Sequence, residues 1–542
     1  MSIFFPSIQR HLATARCRSA VRVVRAFRGA CLGLGALPAL AQAHVFAQPY
    51  LLPVPFALYA AGAVAALALS FVVTGVFATV PHLPGAVARA ALPAAAPATH
   101  PWLALFRGVA VSLLLLCIVS GLVGTQDAYA NVNMTLFWIV FTLGVPYATA
   151  IAGDFFAAIN PWRAVARGVA RAAGLPAKCF EGRWTWPSGL GYAPAIVLYL
   201  ALIWLELFGR LQPRGLAVAL LVYTALNVCG AWAFGEAAWF RRGECFGISL
   251  RWIGRLSPRA RPWGSWQSPR GTGAAEARDH GTRGKGGARE ECVGSPEMTE
   301  VEGRRPPAWR WPLVGLLQAP AESLSEVLFI VALLASTAYD GLHATLPWAT
   351  FYWRDLHPHL IALLAPAPGR AGVVAAQAWY LWQWATLLVS PAVYLGVFVA
   401  FVALARAITR SDRPVGALAL AFAPSLVPIA FVYNVTHYYT LVLAQGPQLL
   451  RIASDPLGVG WNLFGTARHA VLPWMVTMPV VWQTQIALIV AGHVAAVWLA
   501  HVEALQCFST PRRAAVSQLP MLVLMMGFTT LGLWILSLPL AA

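Results

Sequence analysis

Residues 104–124 read ALFRGVAVSLLLLCIVSGLVG, with Arg107 as the one charged side chain. A helix needs about 20 apolar residues to cross a hydrocarbon core, and this run has that length. Comparable runs recur near 55–80, 135–157, 191–209, 215–235, 322–340, 375–406, 416–443, 479–503 and 516–540. Each is too long for a strand, and none shows β-barrel alternation. Lipid cannot satisfy open backbone groups, so helices are the remaining solution. The sequence therefore predicts an all-α polytopic bundle of about ten transmembrane helices. The seventh run is long enough to be tilted or to extend past the bilayer.

Composition agrees. Apolar residues make up 59% of the chain and charged residues 11%, well under the roughly 25% of a soluble domain. The 23 Trp suit interfacial belts. The net charge of +18 raises nucleic acid as a partner, but most Arg lies in loops between apolar runs. The positive-inside rule accounts for that placement.

Residues 1–29 carry Arg10, Arg16, Arg18, Arg22, Arg25 and Arg28 and no acid. A short apolar stretch follows and ends in Ala41-Gln42-Ala43. This is the pattern of a secretory signal peptide over residues 1–43, making His44 the first mature residue; the alternative is an uncleaved anchor. No two of these arginines are adjacent, so the general secretion route is expected. Basic loops after the third, fifth, seventh and ninth spans then set the orientation. They predict a multi-pass protein of the bacterial inner membrane with both mature termini periplasmic. The loop at 210–215, with Arg210 and Arg214, fits this pattern least well. Residues 257–307 are rich in Gly, Arg, Glu and Ser, cannot bury a core, and read as a disordered cytoplasmic linker. The linker divides a first half, 44–256, from a second, 308–542, with five helices each. No internal repeat supports an inverted-repeat transporter.

Ionisable residues inside a membrane are functional candidates because burying them is costly. Asp154 near the end of the third span either pairs with an Arg or caps a helix. Glu206 reaches water or pairs with Arg210 one turn on. Glu236 and Glu244 bracket Arg241-Arg242 as expected ion pairs. On the predicted periplasmic side lie His44, His343, His357, His359, His437 and His469, with Asp340 closing the sixth span and Asp455 in a later loop. His493 sits mid-span in the ninth run, with His501 rotated by roughly 80° on the same helix. Imidazoles and carboxylates facing one compartment could build a site for a divalent metal, copper or zinc. A mature N-terminal His44 would chelate through its amine and ring, with His437 as a further ligand. A haem between His437 and His493 is a rarer possibility. No Walker loop, nucleophile elbow or dinucleotide fingerprint stands out.

Several stretches resemble a family of bacterial multi-pass membrane proteins labelled fenitrothion hydrolase. They are Ala43-His44-Val45-Phe46, Leu52-Pro53-Val54-Pro55, Gly153-Asp154, Asn160-Pro161-Trp162-Arg163 and Arg242-Gly243-Glu244-Cys245-Phe246. In the second half come Ser336 to Gly341, Ser425 to Ala430, His437-Tyr438 and Ser454-Asp455-Pro456-Leu457-Gly458. Gly492-His493-Val494, Ala500-His501 and Ser517 to Met521 complete the set, which spans nearly all the mature chain outside the linker. Two departures stand out: Pro49-Tyr50-Leu51 where Arg-Tyr-Asp is expected, and Pro424 where a His is expected. The resemblance implies a membrane hydrolase that splits an organophosphorus triester. Asp340 would serve as ligand or base, with His44 and His437 as metal ligands. Asp154, His493, His501 and Asp455 are further candidates. The expected partners are the bilayer and a small apolar substrate, with room for a second subunit and none for nucleic acid. The rival reading is a transporter or a metalloenzyme assembly factor without hydrolytic activity.

Overall fold

The computed structural model describes residues 55–77, 101–174, 182–259, 309–318, 320–364, 370–469 and 476–538. The expected signal peptide, its cleavage site and His44 lie outside these residues, as does all of the linker but 257–259. The described chain is built from helices, with no β-strand beyond a single bridge between Arg259 and Trp309. In the first half α1 covers Phe56–Phe77, α2 Pro101–Val123, α3 Val132–Ala152, α4 Pro161–Ala172, α5 Ala193–Phe208 and α6 Pro213–Phe234. Two short helices follow, α7 (Glu236–Arg242) and α8 (Cys245–Gly254). The second half contributes α9 (Leu324–His343), α10 (Ala371–Thr409), α11 (Val415–Ile452), α12 (Met478–Cys507) and α13 (Pro511–Ser537). Nine of these helices are long and apolar enough to cross a membrane. The chain is a membrane protein, and each of the ten expected spans coincides with a helix.

Two of the ten depart from regular spans. At 16 residues α5 reaches about 24 Å, short of a full crossing. At 39 residues α10 outruns the bilayer, and Pro391 within it removes one helical hydrogen bond.

Local irregularities shape the interior. In α3, Thr135–Gly144 is wound as a π-helix, which widens the helix and re-aims the side chains that follow. In α11, Ala423–Leu426 tightens to a 3-10 turn where Pro424 and Pro428 withhold two amide donors. The helix then runs on regularly from Val427 to Gln445.

Close packing depends on small residues, as expected where lipid supplies no hydrophobic drive between helices. A Cβ placed on Gly492 of α12 would lie 2.2 Å from Val432 Cγ2 of α11. Gly396 of α10 has nothing within 4 Å of the same position.

The end of the bundle where α7, α8 and the start of α9 meet is tied by ion pairs, differently from the sequence expectation. Glu236 does not pair with Arg241-Arg242. It takes Arg163 Nε at 2.5 Å and Arg167 Nη2 at 2.6 Å, both from α4. Arg241 and Arg242 turn instead to Glu322. Glu244 is fully buried and pairs with no arginine. It caps α8, accepting from the amides of Phe246 (2.9 Å) and Gly247 (2.7 Å), from Tyr223 Oη (2.6 Å) and from Asn160 Nδ2 (3.1 Å). Four donors around one carboxylate replace the counter-ion that a surface pair would supply.

Two outcomes follow from this packing. Gly492→Val should destabilise the bundle by about 1–3 kcal/mol through overpacking, read as an earlier thermal transition in detergent, while Gly396→Val should leave the transition in place. Burial alone would raise the Glu236 carboxyl, but Arg167 and Arg163 outweigh it and hold it below its usual 4.5. A depressed carboxylate stabilises above its unfolded value and loses that contribution as pH falls through the folded one. The wild type should therefore exceed Glu236→Gln by about 2 kcal/mol at neutral pH. Most of the difference should come through Arg163, since the more exposed Arg167 is better screened. Unfolding curves of the two proteins should converge as the pH drops below the carboxylate range.

Candidate functional site

Four helices each turn one stripe, at i, i+3, i+4 and i+7, to a common space. The stripes are Tyr199, Leu202, Ile203 and Glu206 of α5; Phe246, Ser249, Leu250 and Ile253 of α8; Leu333, Ser336, Thr337 and Asp340 of α9; and Val427, Ala430, Phe431 and Asn434 of α11, which Tyr438 extends by one turn. Side chains at this spacing share one helix face. The π-wound part of α3 closes the wall with Trp138, Phe141 and Thr142. The cavity between them measures about 110 Å³ and is mostly apolar. Its polar groups gather where α5 and α9 finish.

At that end Asp340, 5% exposed, is the centre of a hydrogen-bonded group. His437 Nε2 lies 2.8 Å from Asp340 Oδ2, and Tyr438 Oη donates to the same oxygen at 2.6 Å. Glu206, from α5, and Tyr438 line the same cavity. Asp340 Oδ1 is buried and has no hydrogen-bond partner; the His343 ring nitrogen Nδ1 lies 3.8 Å from it and 2.8 Å from the Asp340 carbonyl oxygen. Deeper in the cavity Tyr199 Oη and Ser336 Oγ share a 2.7 Å hydrogen bond. One oxygen of Asp340 is thus anchored twice, while the other is buried without a hydrogen-bond partner.

Of the residues singled out by sequence, the structure brings together Asp340 and His437. Glu206 joins them by turning inward to the cavity instead of outward to water. Asp154 accepts from the Ala157 amide at 3.0 Å, just ahead of a short helix, Phe156–Ile159, whose N-cap is Phe155. Asp455 closes a loop by accepting from the amides of Val459 (3.0 Å) and Gly460 (2.7 Å). His493 is bonded through Nδ1 to the Ile489 carbonyl at 2.8 Å, leaving a buried Nε2 without a partner. His501 pairs with Gln518 of α13, 3.2 Å from its Oε1. His437 commits its Nε2 to Asp340, so a haem held between His437 and His493 through those nitrogens does not fit. His357 packs against Tyr352 and Trp353.

Among the described residues no group of three or more His, Cys, Asp or Glu is arranged to hold a metal ion. Asp340 and His437 bind one another, and the further expected ligand, His44, lies outside the described residues. Tyr438 and Asn434 were not anticipated from sequence, although both lie on the same α11 face as Val427 and Ala430.

No family model matches the chain. No curated protein and no solved structure is similar to it.

Removing one partner of a buried charged pair leaves the other uncompensated, at a cost of about 3–5 kcal/mol. His437→Ala should destabilise the protein by that order, measured by unfolding in lipid nanodiscs. His437→Gln, which can still donate to Asp340 Oδ2, should retain most of the stability.

Proposed function

We propose that the chain is an integral-membrane hydrolase of a small apolar organophosphorus triester, with Asp340 as its general base. The supporting observation is the asymmetric setting of that carboxylate. His437 and Tyr438 fix Oδ2, while Oδ1, on a residue that lines an apolar cavity, is left without a hydrogen-bond partner and so can accept a proton from water. The water oxygen forms the new bond to phosphorus, the bond from phosphorus to the aryl oxygen breaks, and the proton taken by Asp340 passes to the departing aryloxide. The products are a phosphorus diester and a phenol. An apolar substrate reaches such a site from the bilayer, which gives the membrane setting a purpose. The charge distribution of the loops favours the bacterial inner membrane, with the Asp340 end periplasmic.

One observation favours a second reading. A cavity of about 110 Å³ is smaller than the roughly 150 Å³ that encloses a benzene ring. A whole triester enters only if the helices part, whereas a proton-coupled carrier needs no such room for its proton site. Ionisable chains inside bundles are a common basis for such relays.

Hydrolysis of an aryl phosphotriester by the purified protein in nanodiscs, with Asp340→Asn beside it, separates the two. The hydrolase reading expects turnover in the wild type and a loss of at least about 100-fold in the variant, with both proteins folded. Absence of turnover, together with pH-driven uptake into proteoliposomes that Asp340→Asn abolishes, would establish the carrier. Metal analysis of the same preparation tests the copper or zinc site: bound metal lost in His44→Ala would bring the N-terminus into the mechanism.

A further inference from the structure

Arg107 stands in the second turn of α2, inside an otherwise apolar run. A guanidinium placed there needs a partner, because an unmatched charge in hydrocarbon is costly. The fold supplies only part of one. Arg107 Nε donates to the Ala158 carbonyl at 2.8 Å. Among the described residues no carboxylate forms an ion pair with Arg107, and its terminal nitrogens make no hydrogen bond.

The surroundings add positive charge. α2 packs against α4 and against the short helix Phe156–Ile159 that precedes it. α4 carries Arg163, Arg167 and Arg171 at i, i+4 and i+8, so they share one side of the helix, while Trp162 and Ala166 turn inward and are buried. Arg163 and Arg167 both close on Glu236, and Arg163 also lies over the Phe240 ring. Arg171 is exposed. Asp154, the other acid at this corner, is turned to the Ala157 amide. Four guanidiniums thus share one carboxylate, and two of them already occupy it. Along the same turns of α2, Trp102, Leu105, Phe106 and Val109 form an exposed apolar stripe.

We propose that the junction of α2 and α4 binds one anionic phospholipid, with its phosphate on Arg107 and the α4 arginines and its acyl chains along the α2 stripe. The phosphate is the counter-ion that the chain does not provide. Guanidinium groups offer paired donors to phosphate oxygens, and the long arginine stem lets a charge inside the run reach the headgroup level. A soluble anion would satisfy the charge and leave the stripe bare. A zwitterionic lipid would cover the stripe, but it brings its own cation next to the phosphate. The site lies away from Asp340 and holds for the hydrolase and the carrier alike.

Native mass spectrometry of the full-length protein, titrated in detergent with equal amounts of dioleoyl phosphatidylglycerol and dioleoyl phosphatidylcholine, reads the preference directly. The wild type should retain the phosphatidylglycerol selectively. Arg107→Gln should cut that selectivity about fivefold, and Arg171→Gln should cut it in the same direction. Arg512→Gln should leave it unchanged, because Arg512 is equally exposed but belongs to the start of α13. Equal retention of the two lipids by the wild type would overturn the proposal. So would selectivity that survives both Arg107→Gln and Arg171→Gln, or that falls as far in Arg512→Gln, since the attraction would then belong to the basic surface as a whole. Inorganic phosphate that displaces the lipid at equal concentration would assign the site to a soluble anion and end the lipid reading. If Arg107→Gln does not fold, the exposed Arg171→Gln decides by the same criteria.

Discussion

The bond between His437 and Asp340 joins α9 to α11 through the least forgiving kind of contact a bilayer protein can hold. A lone carboxylate in hydrocarbon is costly, and a lone imidazolium hardly less so, so each residue is tolerable because the other is there. Fixing that pair fixes the relative rotation of two helices. Once α9 and α11 are set, Leu333, Ser336 and Thr337 must face Val427, Ala430 and Asn434 across the cavity. Tyr438, one residue past His437, is then carried to the same carboxylate, on the cavity that Glu206 of α5 also lines. The cavity, its acidic end and the placing of α5 all depend on this one contact.

The opposite end of the bundle is held by a different strategy. There the carboxylates are neutralised by arginines or saturated by amide donors. Glu236 and Glu322 take guanidinium partners, and Glu244 takes two amides, a phenol and a carboxamide. Such contacts stiffen α4, α7 and α8 against one another. They make a firm floor to the cavity through Phe246 and Ser249. Rigidity at the floor and a hydrogen-bonded carboxylate at the other end are complementary, since an acid–base site works best on a scaffold that does not move with each change of charge.

Much of this was legible in the sequence, and the reasons for what was not are physical. Ten apolar runs announce ten helices because lipid leaves the backbone no alternative, and no tertiary information is needed. Asp340 and His437 were recognisable for a related reason: an ionisable group inside an apolar run needs an explanation. Their partnership was not, because it joins positions 97 apart in sequence (437 − 340) on helices whose relative rotation is set by packing. Glu206 was misjudged because Arg210, four residues on and just past the end of α5, looked like the natural partner. The same bias drew Glu236 and Glu244 toward Arg241-Arg242, whereas their actual partners come from α4 and the Asn160 that caps it, from α6 and from the first turn of α8. Nearby charges are easy to pair on paper, but helix faces decide which of them meet.

The π-wound stretch of α3 makes chain length itself a constraint. A wider turn amounts to an extra residue accommodated within a helix that otherwise runs straight. Deleting a single residue from Thr135–Gly144 would let ordinary winding resume, and the side chains inside the stretch would be re-aimed by as much as about 100° while the two ends kept their facing. Trp138 and Phe141 would then no longer share a wall with Thr142 and Pro146. Over these ten residues the number of residues carries as much information as their identity, and drift by insertion or deletion is closed to the chain even where many substitutions remain open.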